Sequence, residues 1–225
     1  MDELVTRHSN IMDRYDPEGL VALVVDEWGS WYDVEPGTNP RFLYQQNSLR
    51  DALVASTTFD IFHKHAGRIR MTNIAQTVNV LQSMILTEGE KMILTPTYHV
   101  FEMNTVHHDA QLIGTAVDSG VSGVGLHEVP TLSASASRKD DGPLHLTVSN
   151  SDANNATSVT IDVRGCTAKS AAGRVLTAPA VNACNTFDNP QTVEPMAVKE
   201  LQAERNRIQI ELPPRSVTVL EISVD

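Results

Sequence analysis

The sequence has 225 residues, of which 41% are hydrophobic, and its formal net charge is −11. This apolar content is sufficient for a packed core and too high for a disordered chain. The negative charge repels phosphate backbones, so we expect no nucleic-acid partner. The longest apolar run, residues 20–25, is far shorter than the roughly 20 residues that a membrane-spanning helix needs. The acidic start, Met1-Asp2-Glu3, does not resemble a signal peptide either.

The chain begins with a predicted helix and a predicted strand. Residues 2–15 carry apolar side chains at helical spacing, and Asp16-Pro17 then ends the helix. Residues 20–25 (LVALVV) are apolar without polar alternation, which is typical of a short strand buried on both faces, as in a parallel sheet. Asp26 and Glu27 close this strand. The alternation of side chains along a strand places these two carboxylates on opposite sides.

A long loop and two further helices follow. Residues 28–47 have no clear period and several glycines and prolines, and loops of that length in a compact domain are usually functional or disordered. The aromatic residues at 28, 31 and 32 argue against disorder. Ser48 with Asp51 predicts the start of a helix that ends by Gly67, and residues 69–75 indicate a second strand. Pro96 predicts the first turn of another helix.

The two parts of the chain therefore belong to different fold classes. Residues 1–109 alternate helices with two strands, which predicts parallel pairing of the α/β type. Two parallel strands cannot bury their own faces or close a barrel, so this part is expected to be the end of a larger α/β domain. Residues 110–225 contain only strand and turn signals and predict an antiparallel β-sandwich. The strands are expected at 110–117, 127–136, 143–149, 156–163, 173–179, 194–201, 207–212 and 216–223.

Glu27 is the first candidate for chemistry. It ends a predicted parallel strand, and in α/β barrels the carboxyl ends of the strands carry the active site. A carboxylate there, with Trp28 and Trp31 close by, fits carbohydrate chemistry, because aromatic faces stack on sugars and carboxylates attack the anomeric carbon or transfer protons. The alternative is that Asp26 and Glu27 only mark the point where the strand reaches water.

Four segments resemble glycoside hydrolase family 51, the α-L-arabinofuranosidases. Residues 24–32 (VVDEWGSWY) resemble the strand that carries the nucleophile in that family. Residues 73–81 (NIAQTVNVL) resemble its eighth barrel strand, and residues 95–101 (TPTYHVF) resemble the helix after that strand. Residues 185–190 (NTFDNP) resemble part of its C-terminal sandwich. The segments occur in family order, so the resemblance covers nearly the whole chain.

The resemblance implies a fold, an activity and three site residues. Residues 1–109 would be the last two strands and helices of a (β/α)8 barrel, and residues 110–225 a jelly-roll-like sandwich. Glu27 would be the nucleophile, Trp31 would line the pocket beside the sugar, and Gln76 would bind sugar hydroxyls. The family removes terminal non-reducing α-L-arabinofuranosyl groups from arabinose-containing oligo- and polysaccharides, with retention of configuration and without a cofactor. Family members are often homo-oligomers.

The sequence departs from the family at the second catalytic carboxyl group. A retaining glycosidase needs two carboxyl groups about 5 Å apart, and in the family the acid/base glutamate follows an asparagine on an earlier barrel strand. These 225 residues contain no Asn-Glu dipeptide. We therefore expect the acid/base and six barrel strands to be missing, and the chain to be inactive alone or to need an N-terminal half. A non-catalytic sugar-binding or scaffold protein, or another retaining glycosidase of the same barrel clan, are the alternatives.

The remaining candidate ligands are weaker. His63 and His65, and the adjacent His107 and His108, do not lie on one helical face, so no metal site is expected. Histidines in a last helical turn are more often surface residues, whereas His99 follows the second strand and is expected to pack or to form a supporting hydrogen bond. The two cysteines, at 166 and 184, are more readily explained as free thiols than as a disulfide. The sequence does not decide the cellular compartment.

Overall fold

The structure is a computed structural model that describes residues 1–124, 127–199 and 201–225. The helices are α1 Asp2–Tyr15, α2 Leu49–Lys64 and α3 Pro96–Asn104. The strands before residue 110 are β1 Leu23–Trp28, β2 Ile69–Ile74, β3 Ile85–Glu88 and β4 Lys91–Leu94. The later strands are β5 Gln111–Ile113, β6 Val121–Val124, β7 His127–Pro130, β8 Leu132–Arg138, β9 Leu144–Asn150, β10 Thr157–Asp162, β11 Ala168–Leu176, β12 Met196–Ala197, β13 Leu201–Glu204, β14 Arg207–Leu212 and β15 Ser216–Val224. Among the described residues, no helix is both long enough and apolar enough to span a membrane.

Strands β1 and β2 form a parallel pair that helix α2 connects, as the order of the predicted elements requires. Leu23 pairs with Ile69 at one end of the pair, and Trp28 pairs with Ile74 at the other. The predicted start of α2 is confirmed, because the Asp51 carboxylate accepts a hydrogen bond of 2.8 Å from the Ser48 backbone N–H. Such a capping contact satisfies a donor that the first helical turn leaves free.

The prediction that the first strand is buried on both faces is wrong for this chain. Leu20 and Val21, which were expected in the strand, precede it and are largely exposed. Val24 in β1 is 41% exposed and Met71 in β2 is 56% exposed. Helices α2 and α3 cover only one face of the pair, so alternate side chains on the other face remain open to solvent.

The hairpin of β3 and β4 is absent from the sequence prediction. Each strand has four residues, and Ile85 pairs with Leu94 while Glu88 pairs with Lys91. Strands this short give too few alternating positions for a periodic signal. A turn at Gly89 and Glu90 joins the two strands.

The antiparallel sheets expected in the second part are confirmed. The larger sheet has six strands in the order β12-β11-β15-β9-β8-β5, and the smaller has three in the order β10-β14-β13. One face of the larger sheet packs against the smaller sheet through a common apolar cluster. The buried members of this cluster are Leu132, Leu146, Val148, Val163, Ala168, Ile208, Ile210, Leu212, Leu220 and Ile222.

The strand predicted at 173–179 lies instead at Ala168–Leu176. Gly173, at which the predicted strand begins, lies inside β11. A Cβ atom at this position would come within 2.6 Å of the Val219 carbonyl oxygen on β15 and within 2.5 Å of a Leu220 methyl carbon. Glycine is therefore required because the two strands approach closely. Strand β6 was missed, and the strand expected at 194–201 is replaced by the separate strands β12 and β13.

The other face of the larger sheet carries a row of hydroxyl side chains that contacts the helices. We call this set the hydroxyl row, and it consists of Ser133, Ser135 and Ser137 on β8 with Thr147 and Ser149 on β9. Its partners are Ser56, Asp60 and His63 on α2, Asn104 at the end of α3, and His107 in the single 3-10 turn that follows α3. Val217 and Val219 on β15 extend the contact with apolar side chains. Helix α2 is thus packed between the parallel pair and the larger sheet.

Candidate functional site

Glu27 lies at the carboxyl end of β1, and its side chain is exposed. The next residue, Trp28, is buried and anchors the strand end to the helices. Its ring makes edge contacts with Phe59 and Phe62, with ring centres 5.5 Å and 5.4 Å apart, and it stacks on Phe101, with ring centres 6.0 Å apart. Because this aromatic cluster fixes Trp28 on the helix side, the strand end that carries Glu27 is held in place while its carboxylate remains accessible.

The expected placement of Asp26 and Glu27 on opposite sides of the strand stays a prediction. The pairing of β1 with β2 is irregular between Val25 and Trp28, and both carboxylates are exposed. An irregularity of this kind interrupts the inside–outside pattern of a strand. Exposure therefore does not distinguish Glu27 from Asp26.

Gln76 lies just beyond the end of β2, beside the end of β1. The Ala75 backbone N–H donates a hydrogen bond of 2.8 Å to the Trp28 carbonyl oxygen, which joins the two strand ends. Gln76 is exposed, like Glu27. The structure therefore brings these two predicted residues to the same edge of the parallel pair. Neither side chain has a hydrogen-bond partner among the described residues.

Gly29 permits the close approach of the two strand ends. Its φ of +148° lies in the region that side-chain-bearing residues rarely adopt. A Cβ atom would lie 3.3 Å from the Gln82 Oε1 atom and 3.4 Å from the Ala75 carbonyl oxygen. The turn that leads from Glu27 towards Trp31 is thus packed directly against the segment after β2.

The third predicted residue, Trp31, is 67% exposed. The backbone on both sides of it is held by two buried side-chain amides, those of Gln45 and Gln82, which the sequence analysis did not identify. Gln45 and its neighbour Gln46 are indistinguishable in the sequence, but Gln45 is buried and Gln46 is exposed. Only the fold separates them, because a loop without a period gives no indication of which side chains turn inward.

Tyr32 and Arg50 extend this region towards helix α2. The Arg50 guanidinium lies 3.8 Å from the centre of the Tyr32 ring, within the range of a cation–π contact. Arg50 also contacts the buried Asp51 carboxylate at 3.2 Å. The segment after Trp31 is therefore attached to the same helical turn that the capping contact organises.

The expectation that His63 is a surface residue is wrong. Its ring is largely buried, and Nδ1 lies 2.8 Å from the Ser135 hydroxyl oxygen. Burial lowers the pKa of His63 to about 4. His107 is also buried, between Ser137 and Thr147, and burial lowers its pKa to about 3. The centres of the two rings are 4.9 Å apart. Because both pKa values lie well below 7, both rings are neutral at neutral pH.

Other candidate groups lie outside this edge. His99 on α3 is half-buried, burial lowers its pKa, and its supporting role stays a prediction. Cys166 and Cys184 are free thiols. Within residues 1–124, 127–199 and 201–225, no group of three or more histidine, cysteine, aspartate or glutamate side chains could hold a metal ion.

Comparison with known proteins gives consistent matches. Residues 26–216 match a family model described as the α-L-arabinofuranosidase C-terminal domain. An intracellular exo-α-L-arabinofuranosidase of Bacteroides ovatus is 44% identical over 99% of this chain and 43% of its own length. The crystal structure of a GH51 arabinofuranosidase from Xanthomonas axonopodis pv. citri has 49% identity and a TM-score of 0.96, covering 99% of this chain and 45% of that one.

A second solved structure, the Thermotoga maritima α-L-arabinofuranosidase arabinose complex, is 29% identical with a TM-score of 0.81. It covers 100% of this chain and 46% of that chain. The chain thus spans less than half the length of the relatives that it matches.

Proposed function

This chain belongs to the family of α-L-arabinofuranosidase C-terminal domains, and we propose that it supplies the nucleophile side of a retaining α-L-arabinofuranosidase site. The observation that carries the proposal is the position of Glu27 and Gln76 at adjoining carboxyl ends of parallel strands. The substrate would be a terminal non-reducing α-L-arabinofuranosyl group of an arabinose-containing oligo- or polysaccharide. The names of the relatives support this substrate class.

In the proposed mechanism, a Glu27 carboxylate oxygen attacks the anomeric carbon while the bond from that carbon to the leaving oxygen breaks. A second carboxyl group donates its proton to the leaving oxygen, and a covalent arabinosyl–Glu27 ester forms. The second group, now a carboxylate, takes a proton from water, and the water oxygen displaces Glu27 from the anomeric carbon. Two inversions give net retention. No step calls for a cofactor.

Trp31 and Gln76 would bind the sugar around this reaction. The exposed indole of Trp31 offers an apolar face on which the C–H groups of a sugar ring can stack. The Gln76 amide can both donate and accept hydrogen bonds, which suits a sugar hydroxyl. Their exposure leaves both side chains free for a ligand.

The acid/base would come from outside these 225 residues. The chain has no Asn-Glu dipeptide. We propose that residues 1–109 are the last two strands and helices of a (β/α)8 barrel and that residues 110–225 form a jelly-roll-like sandwich. The exposed Val24 and Met71, on the uncovered face of the parallel pair, fit strands that need further barrel strands beside them. The completing partner would be an N-terminal half, and the completed enzyme would form a homo-oligomer, as the resemblance implies.

The test compares the isolated chain with a chimera. In the chimera, the part of the Xanthomonas relative that precedes the matched region is joined in front of this chain. We expect the isolated chain to leave an aryl α-L-arabinofuranoside uncleaved and the chimera to hydrolyse it, with little turnover of the aryl xyloside or glucoside. A folded chimera that binds arabino-oligosaccharide without cleaving it would favour the non-catalytic alternative. Preference for the xyloside or glucoside would favour another glycosidase of the clan.

A further inference from the structure

We infer that Gln45 and Gln82 are positioning residues that fix the orientation of Trp31. The inference rests on the proposed function, because it takes Trp31 as the wall of a sugar pocket. We call Ser30, Trp31 and Tyr32 the Trp31 segment. Its backbone is held by these two side chains rather than by a neighbouring strand.

Gln45 binds the backbone on both sides of Trp31. Its Oε1 atom accepts a hydrogen bond of 2.8 Å from the Tyr32 N–H, and its Nε2 atom donates one of 3.0 Å to the Ser30 carbonyl oxygen. The side chain is only 2% exposed. One amide therefore satisfies a donor and an acceptor that flank Trp31, as a paired strand would do.

Gln82 connects the same segment to the two other parts of the candidate site. Its Oε1 atom accepts a hydrogen bond of 2.8 Å from the Ser30 N–H, and its Nε2 atom donates one of 2.7 Å to the Asp51 carbonyl oxygen in the first turn of α2. Its own backbone N–H donates to the Ala75 carbonyl oxygen at 3.2 Å, next to Gln76. The side chain is fully buried. The Trp31 segment, the end of β2 and the start of α2 therefore meet at one side chain.

The indole itself contributes little to its own placement. Trp31 is 67% exposed and, among the described residues, has no aromatic partner, whereas Trp28 is 5% exposed and packs against three rings. The backbone then sets the direction in which the indole projects, because it fixes the Cα–Cβ bond of Trp31. A stacking surface is effective when it is held in place before the ligand arrives, and the two buried amides supply that restraint.

The first test measures the mobility of Trp31 in the isolated chain. Both tryptophans are labelled with 5-fluorotryptophan, and the Trp31 ¹⁹F resonance is identified by its loss in Trp31→Phe. We expect Gln45→Leu to broaden or shift this resonance and to leave the Trp28 resonance unchanged. Gln46→Leu is the matched control, because Gln46 is adjacent and exposed. An unchanged Trp31 resonance in Gln45→Leu would overturn the inference.

Gln82 is tested with a more conservative change, since Gln82→Leu could unfold the chain. Gln82→Met keeps the length of the side chain without adding a charge, and it removes both the acceptor for the Ser30 N–H and the donor to the Asp51 carbonyl oxygen. We expect the Trp31 resonance to change in this variant also, with the Trp28 resonance as the check that the core is intact. A Trp31 resonance like that of the parent chain would remove Gln82 from the inference.

The second test separates this inference from the proposed function. In an active chimera, Gln45→Leu should raise KM by about tenfold and change kcat by less than about threefold, because binding geometry is lost while the nucleophile is retained. Unchanged kinetics beside a mobile Trp31 would overturn the positioning role. An inactive chimera would count against the proposed function, and the ¹⁹F result would still decide whether the two amides hold the Trp31 segment.

Discussion

The Asp60 carboxylate on α2 accepts a hydrogen bond of 2.7 Å from the Ser133 hydroxyl on β8. Asp60 is buried, its other carboxylate oxygen has no hydrogen-bond partner among the described residues, and His63 lies one helical turn further on. Burial raises the pKa of the Asp60 carboxyl to about 6, although the Ser133 and Ser135 hydroxyls favour its charged form. The contact between α2 and the larger sheet therefore contains a carboxyl group that stays protonated up to about pH 6.

Asp60→Asn should increase stability at pH 8. The folded-state pKa of Asp60 lies above its ordinary value of 3.8, so the stabilisation from the protonated form is present at acid pH and is lost as the pH rises through about 6. The shift corresponds to roughly 3 kcal/mol at most. We expect the asparagine variant to exceed the parent chain by about 1–3 kcal/mol at pH 8 and to match it near pH 4, in urea unfolding. Asp33→Asn, at an exposed position, should behave like the parent chain at both pH values. Equal effects of the two substitutions would contradict the assignment.

His107 should make stability depend on pH in the direction opposite to that of Asp60. Burial lowers its folded-state pKa to about 3, so the unfolded chain takes up a proton first. The stability that is present above pH 6.5 is then lost as the pH falls, by about 2 kcal/mol between pH 6.5 and 5. His107→Gln should lower stability at pH 7, since the bonds to Ser137 and Thr147 are disturbed, but it should lose less on acidification. His8→Gln, at an exposed position, is the control, and a parent-like pH slope in His107→Gln would refute the prediction.

The hydroxyl row shows what the sequence could and could not predict. Long elements with strong local signals were predicted well, such as α2 with its Ser48–Asp51 cap and β14 with its alternating apolar residues. The burial of His63 was not predicted, because burial depends on which surface a helix face meets in the folded chain. The alternating serines of residues 133–137 were the one available signal, since a strand face of small hydroxyl groups suits a polar partner.

Some residues of the candidate site could be predicted from the sequence and others could not. Glu27, Trp31 and Gln76 could be proposed because a recognisable segment surrounds each, and the structure places Glu27 and Gln76 at one edge. The roles of Gln45 and Gln82 could not be proposed from the sequence. They depend on hydrogen bonds to Tyr32 and Ser30, which are 13 and 52 positions away in the chain. Such long-range contacts leave no periodic pattern in the sequence.

Glu27 is tested against its neighbour in the active chimera. Glu27→Ala should lower kcat/KM for an aryl arabinofuranoside by at least roughly 1,000-fold, because the nucleophile acts in both half-reactions. Added azide should restore turnover and give an arabinosyl azide of inverted configuration. Asp26→Asn is the matched control, since Asp26 is equally exposed on the same strand end, and its rate should stay within about threefold of the parent. If Asp26→Asn loses activity and Glu27→Ala retains it, the nucleophile has been assigned to the wrong carboxylate.

Limited proteolysis tests how the helices and the larger sheet depend on each other. Residues 110–225 would survive as a fragment of about 12 kDa if they could bury their own core without the helices. In the structure, α2 covers Val217 and Val219 and bonds to the hydroxyl row, whereas α1 is mostly exposed and buries only Val5.

The exposed residues 36–42 are the expected cleavage site for a protease of broad specificity. We therefore expect the main product to retain α2, α3 and all later strands, with a mass of about 20 kDa of the intact 24.6 kDa. Ala55→Arg should release the smaller fragment, because Ala55 is fully buried in the contact between α2 and its neighbours. Leu4→Arg, at an exposed position on α1, should leave the digest unchanged. A fragment of about 12 kDa from the parent chain at early times would mean that the larger sheet does not need α2 to cover it.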